Sequence, residues 1–431
     1  MLDDLSRYTK VDTIELLDFV SQVEKPGAPA PRKYAVRVLP TSKGLNLDLP
    51  LYEKEEFEAA SKFLKMARSK GFKVACNFVP LWLGTEQMAP SSLVDVNGRR
   101  VKGPGDTPTY GCPNDPKMKK YAEFMVRNLV KSWPAMDLLE INHMEYPHIL
   151  LWVYPKVDVD SMFVCFCKSC EKAAKAKGLD FDKMREDAKA LLTSISKPAG
   201  GVKGSKKRKS AGGLATNSDD VVNLFLKRPY LATWLRFRMD SMTEFSRGLV
   251  VAAREEAKEH NPKLKIGLQF QLPALSPLLG TDFVSLSADL DFIVPKFFDY
   301  IPASVLPLFA QEVAARTGLD KKVLLRKLRE AFDLGPGPEK YEKTPMYPKI
   351  SHGELYSNSF DYSVVSRQMK YLEPLVGKVA IQPGILEPNR GKPGLMKKIK
   401  ALSKEGFEDF WLWSWEEGLT TEHLKSLQGI L

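Results

Sequence analysis

No run of apolar residues approaches the roughly 20 needed to cross a bilayer, so the sequence offers no support for membrane insertion. The N-terminal MLDDLSRYTK is acidic where a secretory signal is basic and then apolar. The expected location is therefore cytoplasmic. Cysteines number five: Cys76, Cys112, Cys165, Cys167 and Cys170. An odd count without a signal argues against a disulfide framework. No internal repeat occurs, no composition break forces a second domain, and no nucleic-acid-binding motif is present.

The chain does carry an ordinary globular composition, 44% hydrophobic and 27% charged, which excludes overall disorder and allows a sizeable core. Net charge is +11, unevenly spread. Lys203, Lys206, Lys207, Arg208 and Lys209 stand among Gly, Ser and Ala, a composition that predicts a solvated, flexible basic loop over 197–219. Contact with a polyanion is the other reading of that loop, but nucleic acid is not an expected partner. Deleting residues 200–218 is expected to leave the melting temperature nearly unchanged in a thermal melt. A large loss of activity would instead place these lysines at an anionic substrate.

Helix-period stretches alternate with β-rich runs. In KEEFEAASKFLKMARSKG, Phe57, Ala60, Phe63, Leu64 and Ala67 share a face and Gly71 supplies the stop. Another helix starts at Asp115, with a proline in its first turn. Eight β-rich runs can be counted: VDTIELLDF, YAVRVLP, FKVACNFVP, LLEINHMEYP, LKIGLQFQLP, LDFIVPKFF, KVAIQPGILEP and FEDFWLWSWEE. Alternation of this kind predicts an α/β fold, a single (β/α)8 barrel over 1–431. Two connections are long enough to be insertions. The segment 148–230 follows the fourth strand and holds the cysteines and the basic loop; 299–375 follows the sixth and is helical.

In such a barrel the chemistry sits at the C-terminal strand ends. Those ends carry Glu15, Arg37, Asn77, Glu140, Asn142, His143, Glu145, Gln269, Lys296, Gln382, Glu387, Glu416 and Glu417. Carboxylates dominate, and glycoside hydrolysis needs two of them. Glu140 and Glu145 are candidates on the fourth strand, Glu387 and Glu416 on the last two. Asn77, Asn142, His143, Arg37 and Lys296 are candidates to bind substrate, and the two cations suit an anionic sugar. Trp411, Trp413 and Trp415 fall on one face of the last run. They either pack outward against helices or leave Trp415 at the mouth to stack on a sugar; Trp82 is a second stacking candidate. An ion-pair network inside the barrel mouth is the structural alternative for any single polar end.

Cys165-x-Cys167-x-x-Cys170 lies in one short turn, and Cys112 precedes it in YGCPNDP. Four soft thiolates satisfy tetrahedral zinc and leave no open position, the signature of a structural Zn2+ site. Four reduced thiols without metal is the other reading, and Cys76 is read as a small core residue.

At these residues the chain resembles the family-42 β-galactosidases and related uncharacterised barrel hydrolases. The CPNDP segment at Cys112, a fourth strand ending in an Asn/Glu motif, and the C-x-C-x-x-C cluster follow in the family's order. The resemblance covers about residues 70–180. It implies a structural zinc on Cys112, Cys165, Cys167 and Cys170, an acid/base Glu on the fourth strand, and a nucleophile ending the seventh, where Glu387 is nearest. The chain departs from the pattern at Asn142-His143-Met144-Glu145, where the family has Asn followed at once by Glu.

The expected function is a glycosidase acting on a carbohydrate, with retention through a Glu pair as the expected chemistry. A catalytically silent carbohydrate-binding barrel, and a sugar lyase or isomerase using His143 with a Glu, are the alternatives. A homo-oligomer is compatible with the sequence.

Overall fold

The structure, a computed structural model, describes residues 13–16, 54–83, 86–102, 109–147, 159–196, 218–297, 306–334, 363–387, 402–404 and 411–414, with positions 400, 406, 407, 409 and 425. Strand β1 (Thr13–Leu16) is followed by helix α1 (Lys54–Ser69). α1 buries Leu64 and Ala67 and gives way to Gly71 at φ 87°, a conformation glycine adopts without a Cβ penalty. β2 (Lys73–Phe78) comes next, then a short antiparallel pair, β3 (Trp82–Leu83) and β4 (Thr109–Tyr110). Helix α2 (Pro116–Ser132) begins as its sequence predicts. The Asp115 carboxylate accepts from the amides of Lys117 and Met118, each at 3.0 Å, and Pro116 sits where no intrahelical donor is needed.

β5 (Leu138–Ile141) precedes four helices: α3 (Lys168–Ala176), α4 (Phe181–Ser196), α5 (Ser218–Lys227) and the long α6 (Tyr230–His260). Because α5 already starts at Ser218, the expected loop boundary at 219 is two residues too late. The loop deletion is best ended at 217; the rest of the basic loop lies outside the described residues. The chain continues with β6 (Lys265–Phe270), β7 (Phe292–Pro295), α7 (Leu306–Thr317), α8 (Lys321–Ala331) and α9 (Ser363–Val376). It ends on β8 (Ala380–Ile381), β9 (Gly384–Glu387) and β10 (Trp411–Ser414).

Strands β1, β2, β5, β6, β7 and β8 lie side by side in that order, all parallel. Lys296, just beyond β7, bridges Gly384, and β9 pairs in parallel with β10. β8 and β9 thus follow one path, interrupted at Pro383, which has no amide to donate. β2, β6 and β7 are buried almost throughout, as strands covered on both faces should be. The fold is mixed α/β around a parallel sheet.

Thr13 to Leu16 pair directly with Lys73 to Cys76. No strand is interposed there, and 34–40 lies outside the described residues. β-propensity marks a segment as strand-like without naming its neighbour.

A repeated device pins the register at the N-terminal strand ends. Asp137, before β5, accepts from the Val74 amide at 2.8 Å and from Arg68 of α1 at 2.7 Å. Asp291, before β7, accepts from the Ile266 amide at 2.7 Å and from Arg254 of α6 at 2.8 Å. Each aspartate ties a neighbouring strand and a covering helix to one point. The opposite strand ends carry the polar residues.

Candidate active site and metal centre

Directly paired residues in a parallel sheet project to the same face. Asn77, Glu140, Gly267 and Phe292 are register partners across β2, β5, β6 and β7. A Cβ on Gly267 would meet the Phe292 ring at 2.3 Å, so this glycine makes room for that ring on the face Glu140 shares. Trp411 stacks on Phe292 (centroids 5.9 Å, interplanar 14°) and donates to the Gln382 side chain at 2.6 Å. Trp411 therefore turns toward the Glu140 face.

Beyond this apolar layer the face becomes polar. Asn77, Glu140, Asn142, Gln269, Gln271 and Lys296 are all buried, each two positions from the next on its own strand where a strand supplies two. Asn142 reaches Asn77 at 3.4 Å. The side-chain amide nitrogen of Gln269 makes no hydrogen bond among the described residues. Buried polar groups are ordinarily satisfied, so a donor left over at a strand end suits a ligand.

Past Ile141 the chain turns sharply. The Asn142 amide still donates to Phe78 O at 2.8 Å, extending the ladder, while Asn142 Oδ1 accepts from the His143 amide at 2.7 Å. His143 lies at φ 54°, a left-handed conformation uncommon outside glycine and often stored at functional sites. Its ring packs on Trp82 with centroids 3.8 Å apart. His143 Nδ1 lies 2.8 Å from Glu145 Oε1, and Gln271 Nε2 donates to the same oxygen at 3.1 Å. The Tyr110 hydroxyl donates to the Glu145 carbonyl. Burial, and then the charge of Glu145, push the Tyr110 phenol well above its ordinary range, so it remains a donor. Glu145 itself is fully buried. Desolvating a carboxylate costs several kcal/mol, and hydrogen bonds to a charged group recover about 1.5–3 kcal/mol each. The His143–Glu145 contact lets one proton reside on either atom, a requirement of acid–base chemistry.

The other candidates fall as follows. Glu387 ends β9 in register with Ser414, and its side chain is outside the description. Arg37, Trp415 and Glu416 lie outside the described residues. Gln271 and Tyr110 were not singled out from sequence. Gln271 continues the two-residue alternation begun at Gly267 and Gln269, a signal that was available.

The thiols form a second centre. Bridges between Ser92 and Gly111 and between Asp95 and Val164 draw the Cys112 and Cys165 segments together. Cys167 then caps α3, its sulfur accepting from the Cys170 amide at 3.4 Å. Cys112 Sγ lies 3.4 Å from those of Cys167 and Cys170 and 3.7 Å from that of Cys165. All four sulfurs fall within 4.8 Å of one another. Tetrahedral bonds of about 2.3 Å place sulfurs roughly 3.8 Å apart, so this donor set fits a four-thiolate metal. Burial pushes the Cys112 thiol well up, while hydrogen bonds from Cys112, Cys165 and Cys170 hold the Cys167 thiol far down. Cys76 stands apart, buried in β2.

A polyextremophilic β-galactosidase from the Antarctic haloarchaeon Halorubrum lacusprofundi has a similar structure: TM-score 0.51, 13% identity, covering 97% of this chain and 50% of that one. At that identity the likeness is one of fold alone. The glycoside hydrolase domain of PgaB (BpsB) from Bordetella bronchiseptica aligns over 89% of this chain and 81% of its own at 10% identity and TM-score 0.47. A family-42 β-galactosidase from G. stearothermophilus, Gan42B, aligns over 72% and 39% at 15% identity and TM-score 0.39. The chain thus spans half the length of the haloarchaeal enzyme. No family model and no curated protein matches it. Among the described residues no helix is long and apolar enough to cross a membrane.

Proposed function

We propose that this protein is a glycoside hydrolase whose parallel sheet closes into a (β/α)8 barrel and holds a carbohydrate at its C-terminal strand ends. The observation that carries this reading is the buried Glu145 carboxyl, joined to Gln271 and to His143, whose ring packs on Trp82, just past the end of a parallel strand. Glu145, or Glu140 deeper on the same strand, acts as general acid/base, with Glu416 or Glu387 as the partner. In a retaining reaction the acid protonates the departing glycosidic oxygen while the partner carboxylate forms a glycosyl–enzyme ester. Water, deprotonated by the same Glu, then hydrolyses that ester. Asn77, Asn142 and His143 orient the sugar, and Trp82 and Trp415 stack on its C–H face. Lys296 and Arg37 favour an anionic sugar. The four thiolates hold a structural Zn2+, which when bound supplies a cross-link and no open coordination site. Cys112, from a different loop, thereby anchors the β4 end to the start of α3.

The His143–Glu145 contact also favours a second reading, a sugar lyase or isomerase in which these two groups are base and acid. A panel of aryl glycosides that includes uronides separates them. Release of the aryl alcohol with a saturated sugar is expected. An unsaturated uronide product selects the lyase, and binding without turnover selects a silent carbohydrate-binding barrel.

A further inference from the structure

Arg238 is a buried cation with no carboxylate partner among the described residues. It projects from α6, is 4% exposed, and its Nε makes no hydrogen bond there. Its guanidinium lies between two rings, 4.6 Å from the Tyr146 centroid and 4.8 Å from that of Trp234. Cation–π contacts of this kind offset part of the cost of burying a charge. They do not replace a counter-ion.

The surroundings of Arg238 lead to the thiols from two sides. Trp234, one turn earlier on α6, donates through Nε1 to the carbonyl of Val164, the residue before Cys165. Ser241, nearly one turn later, accepts from the Asn114 side chain at 2.9 Å. Asn114 gives its other amide hydrogen to Cys170 Sγ at 3.3 Å. One face of α6 is therefore laid along the metal centre, and Arg238 sits in the middle of it. A divalent ion on four thiolates is a dianion. Such a centre, buried, needs positive charge nearby as much as Arg238 needs negative charge.

We propose that Arg238 is the charge partner of the four-cysteine metal centre, so that the metal and the guanidinium stabilise one another inside the fold. The proposal rests on the reading that Cys112, Cys165, Cys167 and Cys170 hold a metal. Burial pulls the guanidinium down to about 10, the penalty a nearby negative centre would relieve. Tyr146, whose ring carries the guanidinium, directly follows Glu145 in sequence. The role of Arg238 is positioning, not catalysis.

The test uses the full chain, purified with its metal, as parent, Arg238→Met and Arg238→Lys. Zinc affinity is read by chelator competition, and melting temperature is read with and without chelator. Arg238→Met, which keeps the stem and removes the charge, is expected to hold zinc about 10- to 100-fold more weakly, the usual cost of losing an outer-shell partner. Arg238→Lys keeps the charge but not the planar stack between the two rings, so it is expected to hold zinc at least about threefold more tightly than Arg238→Met, though less tightly than the parent. The melting-temperature gap between parent and Arg238→Met should be wider with metal than without. Equal gaps, or an unchanged zinc affinity, would overturn the proposal and leave Arg238 a packing residue. If Arg238→Met does not fold, Arg238→Lys decides: a loaded variant supports the charge role, and a folded, zinc-depleted one overturns it. A parent that carries no metal and melts identically in chelator is a different outcome, since it removes the metal reading itself.

Discussion

Replacing Glu145 by glutamine is expected to lower kcat by about three orders of magnitude on a glycoside that the parent cleaves, because proton transfer and nucleophilic assistance each contribute on that scale. Glutamine fills the same volume and can still accept from Gln271 Nε2 and His143 Nδ1, the two groups that hold the Glu145 oxygen. Melting temperature should therefore change little, and the loss is chemical. It should also be steeper for substrates with poor leaving groups, which depend most on protonation, than for activated aryl glycosides. Unaltered turnover would remove Glu145 from the mechanism, and Glu140→Gln, Glu387→Gln and Glu416→Gln, assayed beside it, would show which carboxyl takes its place. His143→Asn offers an internal control: a hydrolase should retain more activity in it than in Glu145→Gln, whereas a lyase using His143 as base should not.

Cys112→Ser should be the most damaging single change outside the strand ends. The parent is expected to carry about one zinc per chain by elemental analysis, and the variant less than about 0.2, because a hard hydroxyl is a poor substitute for a thiolate on a soft site. Apparent binding energies of structural zinc run to about 10–16 kcal/mol and count as folding energy. A variant that no longer retains zinc forfeits most of that, roughly 10 kcal/mol, which for a chain of 431 residues corresponds to a fall in melting temperature of about 10 °C. Cys112 is the informative choice because it alone comes from the β4 side; Cys165, Cys167 and Cys170 share one turn. A parent with less than about 0.2 zinc before any chelator treatment would count against the metal.

Much of this site could be read before any coordinates. The spacing of Cys165, Cys167 and Cys170 is a local signal, and one turn does place their sulfurs with that of Cys112. Polar residues at strand ends were equally visible, since two-residue alternation survives to the last residue of a buried strand. Partners brought in from elsewhere were not. Gln271 meets Glu145, and Ser241 meets Asn114, only because the sheet and α6 close over long stretches of chain. No periodicity encodes such a meeting. α6 reads as an ordinary long helix, and Arg238 as one of its many charges. Strand neighbours were not legible either: Thr13 to Leu16 pair with Lys73 to Cys76 across a long stretch of chain, and no local pattern names that partner.

The order of the parts along the chain also sets an order of assembly. Every sulfur donor has been translated by Cys170, while α6 and the strands from Lys265 onward are still to come. All four sulfur donors precede that point. The sheet needs residues beyond it: Leu138 waits for Lys265, and Phe292 for Ala380. Pairings so distant in sequence are slow to form, and unpaired parallel strands are exposed to aggregation meanwhile. A metal bound by these four thiolates during synthesis would tie the β4 end to the start of α3 before the sheet can be completed, and Arg238 and Ser241 would reach it only when α6 arrives.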